Sequence, residues 1–540
     1  MKTLLYNAKV YVERDHFEEA VLIEDGLIKK VGSDRKLLPL ADATTQKIDC
    51  EKKTLLPGMN DSHLHFMQFG ETLNQVDIDG VPSITEMIKR GQDFMKAYPK
   101  RVAKGMHAIG WNQDLFVDNK RLPNRYDLDQ ISTEIPIVLE RVCGHIVTSN
   151  SKAIEILGLT KDSKPYQDGE FLTDENGEPN GIFTGNACNI VKSIIPDFTM
   201  EERKEILVET MQYGVSHGLT SVQSNDVGTT FMDQEAAFKM FCDVYDKGEG
   251  LLRYRHQVCF NDLDGFRDCM AKGNYKIPGQ DKDSWLQIGA LKLFKDGSLG
   301  ARTALMTNGY VGEPDNHGLE WIKQDEMEEY CKIARDYGLS VITHAIGDEA
   351  IRRTIDCYEK AFIDGKNKLR LGVNHCQITD QELIERMAKE DIFVYAQPIF
   401  LDYDMTIVED LCGKELASTS YAWHSLKEKG VHVAYGTDCP VEDCNPFPNI
   451  YMAVTRKNRK GEPAGGFYPA ECVDVETAID AYTYESAYAE FMEDKKGRIK
   501  EGFYADMILL DQDIFTINPD DIKDILPVMT MVGGKIVFEK

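Results

Sequence analysis

Two histidines one residue apart, His63 and His65 in "TLLPGMNDSHLH", follow an apolar run that ends in Pro57 and Gly58. Alternate residues of a strand share a face, so both imidazoles could reach one ion. Alone the pair is a weak signal, because short polar pairs at strand ends are common. His344 in "VITHAIGD" and His375 in "GVNHCQ" each close a further strand-like run, one β/α unit apart, and Asp438 closes "VAYGTD". With only 12 histidines in 540 residues, chance is a poor account of four at strand ends. Imidazoles plus a carboxylate suit a divalent ion such as Zn²⁺. Lys292 in "GALKLFKDGSLG" is the odd member. Nearby positive charge lowers a lysine pKa, and a neutral amine can add CO₂ to form a carbamate, an anion able to bridge two metals. Lys295, three residues on, competes for that role.

Elements that could position these groups are visible on either side of them. "LSVITHAIGDEAIRRTIDCYEKAF" reads as a strand followed by a helix of period 3.6. "LRLGVNHCQITDQELIERMAKED" repeats the plan, with Thr379-x-x-Glu382 as a capping box. "IFVYAQP", "VHVAYGTD", "WLQIGALKLFKDG", "YRHQVCF" and "LTSVQSND" supply five more strands, and the run into His63 makes eight. The expected fold is α/β, a (β/α)8 TIM barrel over residues 57–479, with catalytic groups at the carboxyl ends of the strands. Residues from about 75 to 200 look surplus and read as an insertion after the first strand. The two ends of the chain are rich in short strands, with Asp25-Gly26 and Gly533-Gly534 as hairpin signals. They are expected to meet as one small β-sandwich domain, 1–56 with 480–540.

The formal charge of −28, from 62 basic and 90 acidic residues, argues against nucleic acid, which needs a basic footprint. No apolar run approaches the length of a membrane span. "MKTLLYNAKVYVERDH" opens like a signal peptide, but Asn7, Lys9, Glu13 and Arg14 break it. Thirteen cysteines are scattered without a CxxC pair, as in a reduced, cytoplasmic protein. The expected partners are a small-molecule substrate and, beyond that, a second copy of the chain in a homodimer.

Taken together, "PGMNDSHLH", "ALKLFKDGSLGARTALM", "THAIGDEAI", "NHCQ" and "YGTDCPVEDCNPF" resemble the successive motifs of the metal-dependent amidohydrolase superfamily. "GWNQDLF", "GHIVTSNSKAIEILGL" and "DENGEPNGIFTGNA" resemble stretches of its group that contains N-substituted formamide deformylase-like enzymes. The resemblance implies one or two divalent ions held by His63, His65, Lys292, His344, His375 and Asp438. It implies an N6-carboxylated Lys292, favoured over Lys295 because the motif reads apolar-Lys-x-Phe, and Asp438 as the acid–base. Asn374, before His375, departs from relatives, which tend to carry an acidic residue there. Asp61 is read as a support for the histidines.

The function this implies is hydrolysis of a C–N amide bond in a small molecule, an N-substituted formamide or another N-acyl compound, by metal-activated water. His145 in "VCGHIVTSN" is a candidate donor to the substrate carbonyl, and Trp111 and Arg302 are candidate substrate contacts, each with packing or loop bonding as the alternative. The stretch "DGSLGARTALMTNGY" lacks a phosphate-loop pattern and reads as a mobile active-site loop. Cyclic-imide hydrolysis, ring deamination or a non-catalytic regulatory role on a retired barrel are the competing functions.

Overall fold

Eight strand-forming runs line up in one parallel sheet in the computed structural model, which describes residues 2–166, 168–228, 234–277, 279–281 and 283–540. They are β1 (Met59–Leu64), β2 (Leu219–Val227), β3 (Arg253–Val258), β4 (Leu286–Phe294), β5 (Val341–Ala345), β6 (Gly372–His375), β7 (Phe393–Ala396) and β8 (Val433–Tyr435). Their order in the sheet is their order in the chain. The Asp438 N–H donates to the His63 carbonyl at 2.9 Å and brings the end of β8 back to β1. These are the eight runs expected, and the barrel is nearly closed. Strands such as β7, FVYA, are apolar throughout, whereas β1 to β3 carry buried polar residues, among them Asp61, Gln223 and Gln257.

The helices between them present one apolar stripe each. Asp348–Ala361 buries Ile351, Ile355 and Tyr358, spaced four and three apart. Gln381–Lys389 starts from Asp380, whose side chain accepts the Leu383 N–H at 2.8 Å. The expected cap, Thr379, is buried and gives its hydroxyl to the Thr419 carbonyl. Asp380 stands closer to the first turn and, as an anion, also suits the helix dipole.

Both ends of the chain build two further sheets. Residues 27–32, 20–24, 2–6 and 46–49 form one, and residues 535–539, 527–532, 507–510, 54–57, 9–13 and 16–18 form the other. Leu5, Val21 and Ile28 of the first share a core with Val10, Leu55, Met507 and Met529 of the second. Strand 507–510 pairs antiparallel with 54–57, which runs directly into β1. Helix Tyr484–Ala489 lies before that return and packs on β1 and β8, so the terminal layer takes up the chain later than residue 480. The crossing is at Gly58, where any Cβ would stand 2.1 Å from Thr220 Oγ1.

Residues 69–207 form a compact unit of their own. It is a five-stranded sheet in the order 169–173, 179–185, 146–149, 137–141, 106–111, with helix Ile84–Ala97 among its elements. The strand-like runs "MHAIGW" and "IPIVLERVCGH" are two of its strands.

Candidate metal centre

β1 ends by presenting His63 and His65 to the same side, and Asp438 meets them from the turn after β8. Backbone bonds fix this meeting, because the His65 N–H donates to the Cys439 carbonyl at 2.7 Å while the Asp438 N–H reaches His63. Asp438 sits in the left-handed region at φ 55°, a conformation uncommon for a residue with a Cβ and found where a site demands it. Asp438 Oδ1 lies 3.3 Å from His63 Nε2 and 3.4 Å from His65 Nε2.

The hydrogens in this cluster follow from backbone carbonyls, which can only accept. His65 Nδ1 is 2.7 Å from the Asn225 carbonyl, so Nδ1 carries the proton and Nε2 a lone pair. Gln257 gives its amide N–H to the Ser62 carbonyl at 2.9 Å, which turns its oxygen to His63 Nδ1 at 2.6 Å. His63 Nε2 therefore also carries a lone pair. Burial holds His63 neutral, down to about 4, against the pull of Asp438. Burial opposes ionisation of Asp438, and it is hydrogen bonding and charge from His63 and His65 when they carry a proton on Nε2 that hold it well below the ordinary carboxylate range.

Three acceptor atoms thus converge within 4.8 Å with no donor among them, and Asp438 Oδ1 has no hydrogen-bond partner. Such an arrangement is costly without a cation. A proton on His65 relieves one pair, whereas a metal ion accepts all three. Ligands bonded at about 2.0–2.1 Å in a tetrahedron stand about 3.4 Å apart, close to the separations found here. The donor set fits a divalent ion.

Lys292 is buried on β4, and its Nζ lies 3.9 Å over the Phe294 ring. Burial lowers its ammonium to about 8, with Asp438 acting in the opposite direction. Lys295 differs sharply. Its Nζ is bound by Glu320 Oε1 at 2.9 Å, the Ile322 carbonyl at 3.0 Å and Gln324 Oε1 at 3.0 Å. No hydrogen-bonding capacity remains on it for a site.

His344 and His375 stand together, ring centroids 4.4 Å apart, and His375 lies 5.9 Å from His63 by the same measure. Each has its own partners. His344 Nε2 donates to the Gly297 carbonyl at 3.1 Å, and His375 contacts Gln397 and Asn374 through its two nitrogens, both at 2.8 Å. Burial drives His344 down to about 3, and His375 well below its ordinary value.

Arg302 is exposed on the loop after β4, where its guanidinium pairs with Glu313 of the same loop. That loop is held in place. Asp296, fully buried, accepts the N–H groups of Leu305, Ile346 and Gly347 at 2.8, 3.0 and 2.9 Å. His145 and Trp111 both lie in the 69–207 unit. His145 is exposed on the turn between strands 137–141 and 146–149. Trp111 is buried in that unit's core, and its indole N–H is taken by the Leu139 carbonyl at 3.0 Å.

Sequence reasoning missed Gln257, Gln397 and Asp296. Gln397 carries a readable signal, since it directly follows the apolar strand FVYA, whereas Gln257 stands among Arg253, Arg255 and His256 and is not singled out by its neighbours. Asp296 follows the lysine segment and looks like an ordinary turn residue until its three donors are seen.

The amidohydrolase family model matches residues 46–538. YtcJ of Bacillus subtilis (strain 168) is 30% identical over 543 residues, covering 100% of both chains. N-substituted formamide deformylase of Arthrobacter pascens is 23% identical over 548 residues, 99% of this chain and 97% of that protein. Among solved structures, an uncharacterized metal-dependent hydrolase from Pyrococcus furiosus superposes with a TM-score of 0.76 at 28% identity, over 96% of this chain and 100% of that one. With a nearly closed barrel, a three-acceptor cluster at its strand ends and a match over almost its whole length, this chain belongs to the amidohydrolase family.

Proposed function

We propose that the chain hydrolyses a C–N amide bond, not a peptide bond, in a small molecule, an N-substituted formamide or another N-acyl compound, with zinc held by His63, His65 and Asp438. The observation that carries this reading is the convergence of His63 Nε2, His65 Nε2 and the otherwise unpartnered Asp438 Oδ1 on one point. Similarity to a formamide deformylase along nearly the full length of both chains supports the substrate class. When bound, the ion supplies acidification of a water molecule and polarisation of a carbonyl.

The remaining work falls to side chains. Asp438, kept anionic, serves as general base and then as general acid toward the leaving nitrogen. With Oδ1 in the acceptor cluster, Oδ2 is the atom left to take the proton. Gln257 and the Asn225 carbonyl hold both imidazoles in the tautomer that keeps Nε2 free. Lys292, with its lowered amine, is the residue suited to carboxylation and stands close enough to feel Asp438. The same reading places the protein in the cytoplasm, supported by thirteen unpaired cysteines.

Product analysis tests the reading. Purified protein loaded with zinc is offered N-substituted formamides, other N-acyl amines, cyclic imides and aminated rings. An amine and a carboxylate in equal amounts support amide hydrolysis. Ammonia without a carboxylate product indicates a deaminase and overturns it, as does turnover confined to the cyclic imides. A chain that takes up no divalent metal and turns over none of these compounds is non-catalytic.

A further inference from the structure

His375 sits beside the centre, and the hydrogens around it can be placed from one backbone atom. Gln397 gives its amide N–H to the Tyr395 carbonyl at 3.3 Å and to Asn374 Oδ1 at 3.1 Å. Its oxygen therefore faces His375 Nδ1 at 2.8 Å, which must carry the proton. His375 Nε2 is then the lone pair. Asn374, with its oxygen turned to Gln397, points its own N–H at that lone pair from 2.8 Å. Asn374, His375 and Gln397 are all buried, so no solvent competes for these bonds. The circuit is closed, and every polar atom in it has a partner.

The contrast with β1 is direct. At His63 and His65 the inner nitrogens face an acceptor, Asp438 Oδ1, and only a cation satisfies them. At His375 the inner nitrogen faces a donor. His344 Nε2 gives its hydrogen to the Gly297 carbonyl, which leaves Nδ1 as the lone pair of that ring, so closure of the second position rests on His375. For a second ion to bind His375, the Asn374 amide must rotate, which turns its oxygen to the ion but breaks its bond from Gln397 and leaves two N–H donors facing each other. Stranding two buried amide groups weakens binding of that ion by roughly two to four powers of ten.

Resting on the metal-centre reading above, we infer that this centre holds one divalent ion and not two, because the Asn374 amide N–H occupies the nitrogen of His375 that a second ion would need. The ion lies at His63, His65 and Asp438, and the His344–His375 pair forms a neutral, hydrogen-bonded wall beside it. A carboxylated Lys292 is then a terminal ligand and not a bridge.

The test counts metal. The full-length protein is equilibrated with excess ZnCl₂, desalted and assayed for zinc per chain, and Co²⁺ is titrated into the metal-free protein while its visible absorption is followed. One zinc per chain, with the Co²⁺ signal saturating at one equivalent, is expected. Two equivalents in either measurement overturn the inference while leaving amide hydrolysis intact. One equivalent without turnover of any amide does the reverse, and no retained metal rejects both.

Asn374→Asp supplies the second arm. It replaces the donor with an acceptor and recreates beside His375 the unsatisfied pairing found at His63, so two equivalents are expected. A variant that is folded by circular dichroism and still saturates at one equivalent shows that the Asn374 N–H is not what closes the position. If the buried charge unfolds that variant, the wild-type count decides alone.

Discussion

Asp61 Oδ2 accepts both the backbone N–H and the hydroxyl of Thr437, at 3.0 and 2.7 Å, across 376 residues of chain. Its other oxygen accepts the His63 N–H at 3.1 Å. One buried carboxylate thereby seams β1 to the end of β8 and sets His63 opposite Asp438. An asparagine keeps one acceptor and turns an N–H toward a donor. Asp61→Asn is expected to lower unfolding free energy by about 1.5–3 kcal/mol. Metal affinity is expected to fall about 10- to 100-fold. Denaturant unfolding and Co²⁺ titration measure the two. A stability loss with unchanged metal affinity would show that the seam serves the barrel alone.

Gly436 lies on the same seam, where an added Cβ would stand 2.7 Å from the backbone nitrogen and oxygen of His63. Backbone cannot yield as a side chain can, so Gly436→Ala displaces β1 at its ligand end. The expected result is a folded protein with metal affinity reduced at least about tenfold. Retention of zinc at wild-type levels after desalting would contradict the close approach.

Chelation and Asp438→Asn separate binding from proton transfer. Removing the ion with a chelator is expected to abolish hydrolysis, and zinc restores it. Asp438→Asn keeps the shape but cannot take the proton, and a positioned acid–base contributes about 10²–10⁴ in rate. If zinc-loaded Asp438→Asn, with metal content confirmed, keeps more than a tenth of kcat, Asp438 is a ligand only.

Protons and metal compete at His65. Burial lowers its pKa, but Asp438 and Asp226 outweigh burial and leave it above the ordinary 6.5. The proton therefore stabilises the metal-free fold fully below about 6.5, and that contribution is lost as pH rises through the higher folded value. Metal binding needs the same lone pair, so its affinity should fall about tenfold per pH unit on acidification below the folded value. His63, at about 4, adds no competition near neutrality. Thermal unfolding of the metal-free and zinc-loaded protein between pH 5.5 and 8 should show opposite trends, and parallel curves would rule out His65 as a ligand.

Lys292 and Lys295 give a chemical test of carboxylation. An amine titrating near 8 is largely available to CO₂ at mildly alkaline pH, whereas Lys295 spends all three of its donors on Glu320, Ile322 and Gln324. With ¹³C-labelled bicarbonate, one carbamate resonance is expected in the wild type and none in Lys292→Arg, which keeps charge and bulk without forming the adduct. A resonance that survives the substitution moves the modification elsewhere.

The barrel was legible because its signals are local: eight short strand-like runs, most of them followed by a helical stripe. Ligand candidates at His63, His65 and Asp438 were legible for the same reason, standing at strand ends. What decides the chemistry was not. Whether a histidine nitrogen faces a donor or an acceptor depends on amide groups far off in sequence, as Gln257 is 194 residues from His63. Asn374 was visible as a departure, but its consequence required the Tyr395 carbonyl and Gln397 to fix which way its amide points. Trp111 carried two readings for a related reason, because an aromatic residue beside polar neighbours can serve a pocket or a core, and its burial bears on the choice only in the folded chain.

Asp506 and Arg253 join the terminal sheets to the foot of the barrel. The guanidinium donates to both carboxylate oxygens, at 2.7 and 3.2 Å, and lies 3.9 Å over the Tyr504 ring. Asp506 Oδ1 also takes the Gly533 N–H at 2.7 Å, and its carbonyl takes the Gly58 N–H at 3.0 Å, next to the crossing into β1. Both side chains are buried, so truncating one strands the other charge. Asp506→Ala is expected to destabilise by about 3–5 kcal/mol. Replacing both partners, Arg253→Met with Asp506→Leu, removes the charges together and should recover much of that loss, since a buried pair is worth little against apolar groups of similar volume. Denaturant midpoints of the single and double variants measure this. A double variant less stable than Asp506→Ala would mean that the pair holds the terminal layer by geometry that apolar packing cannot replace.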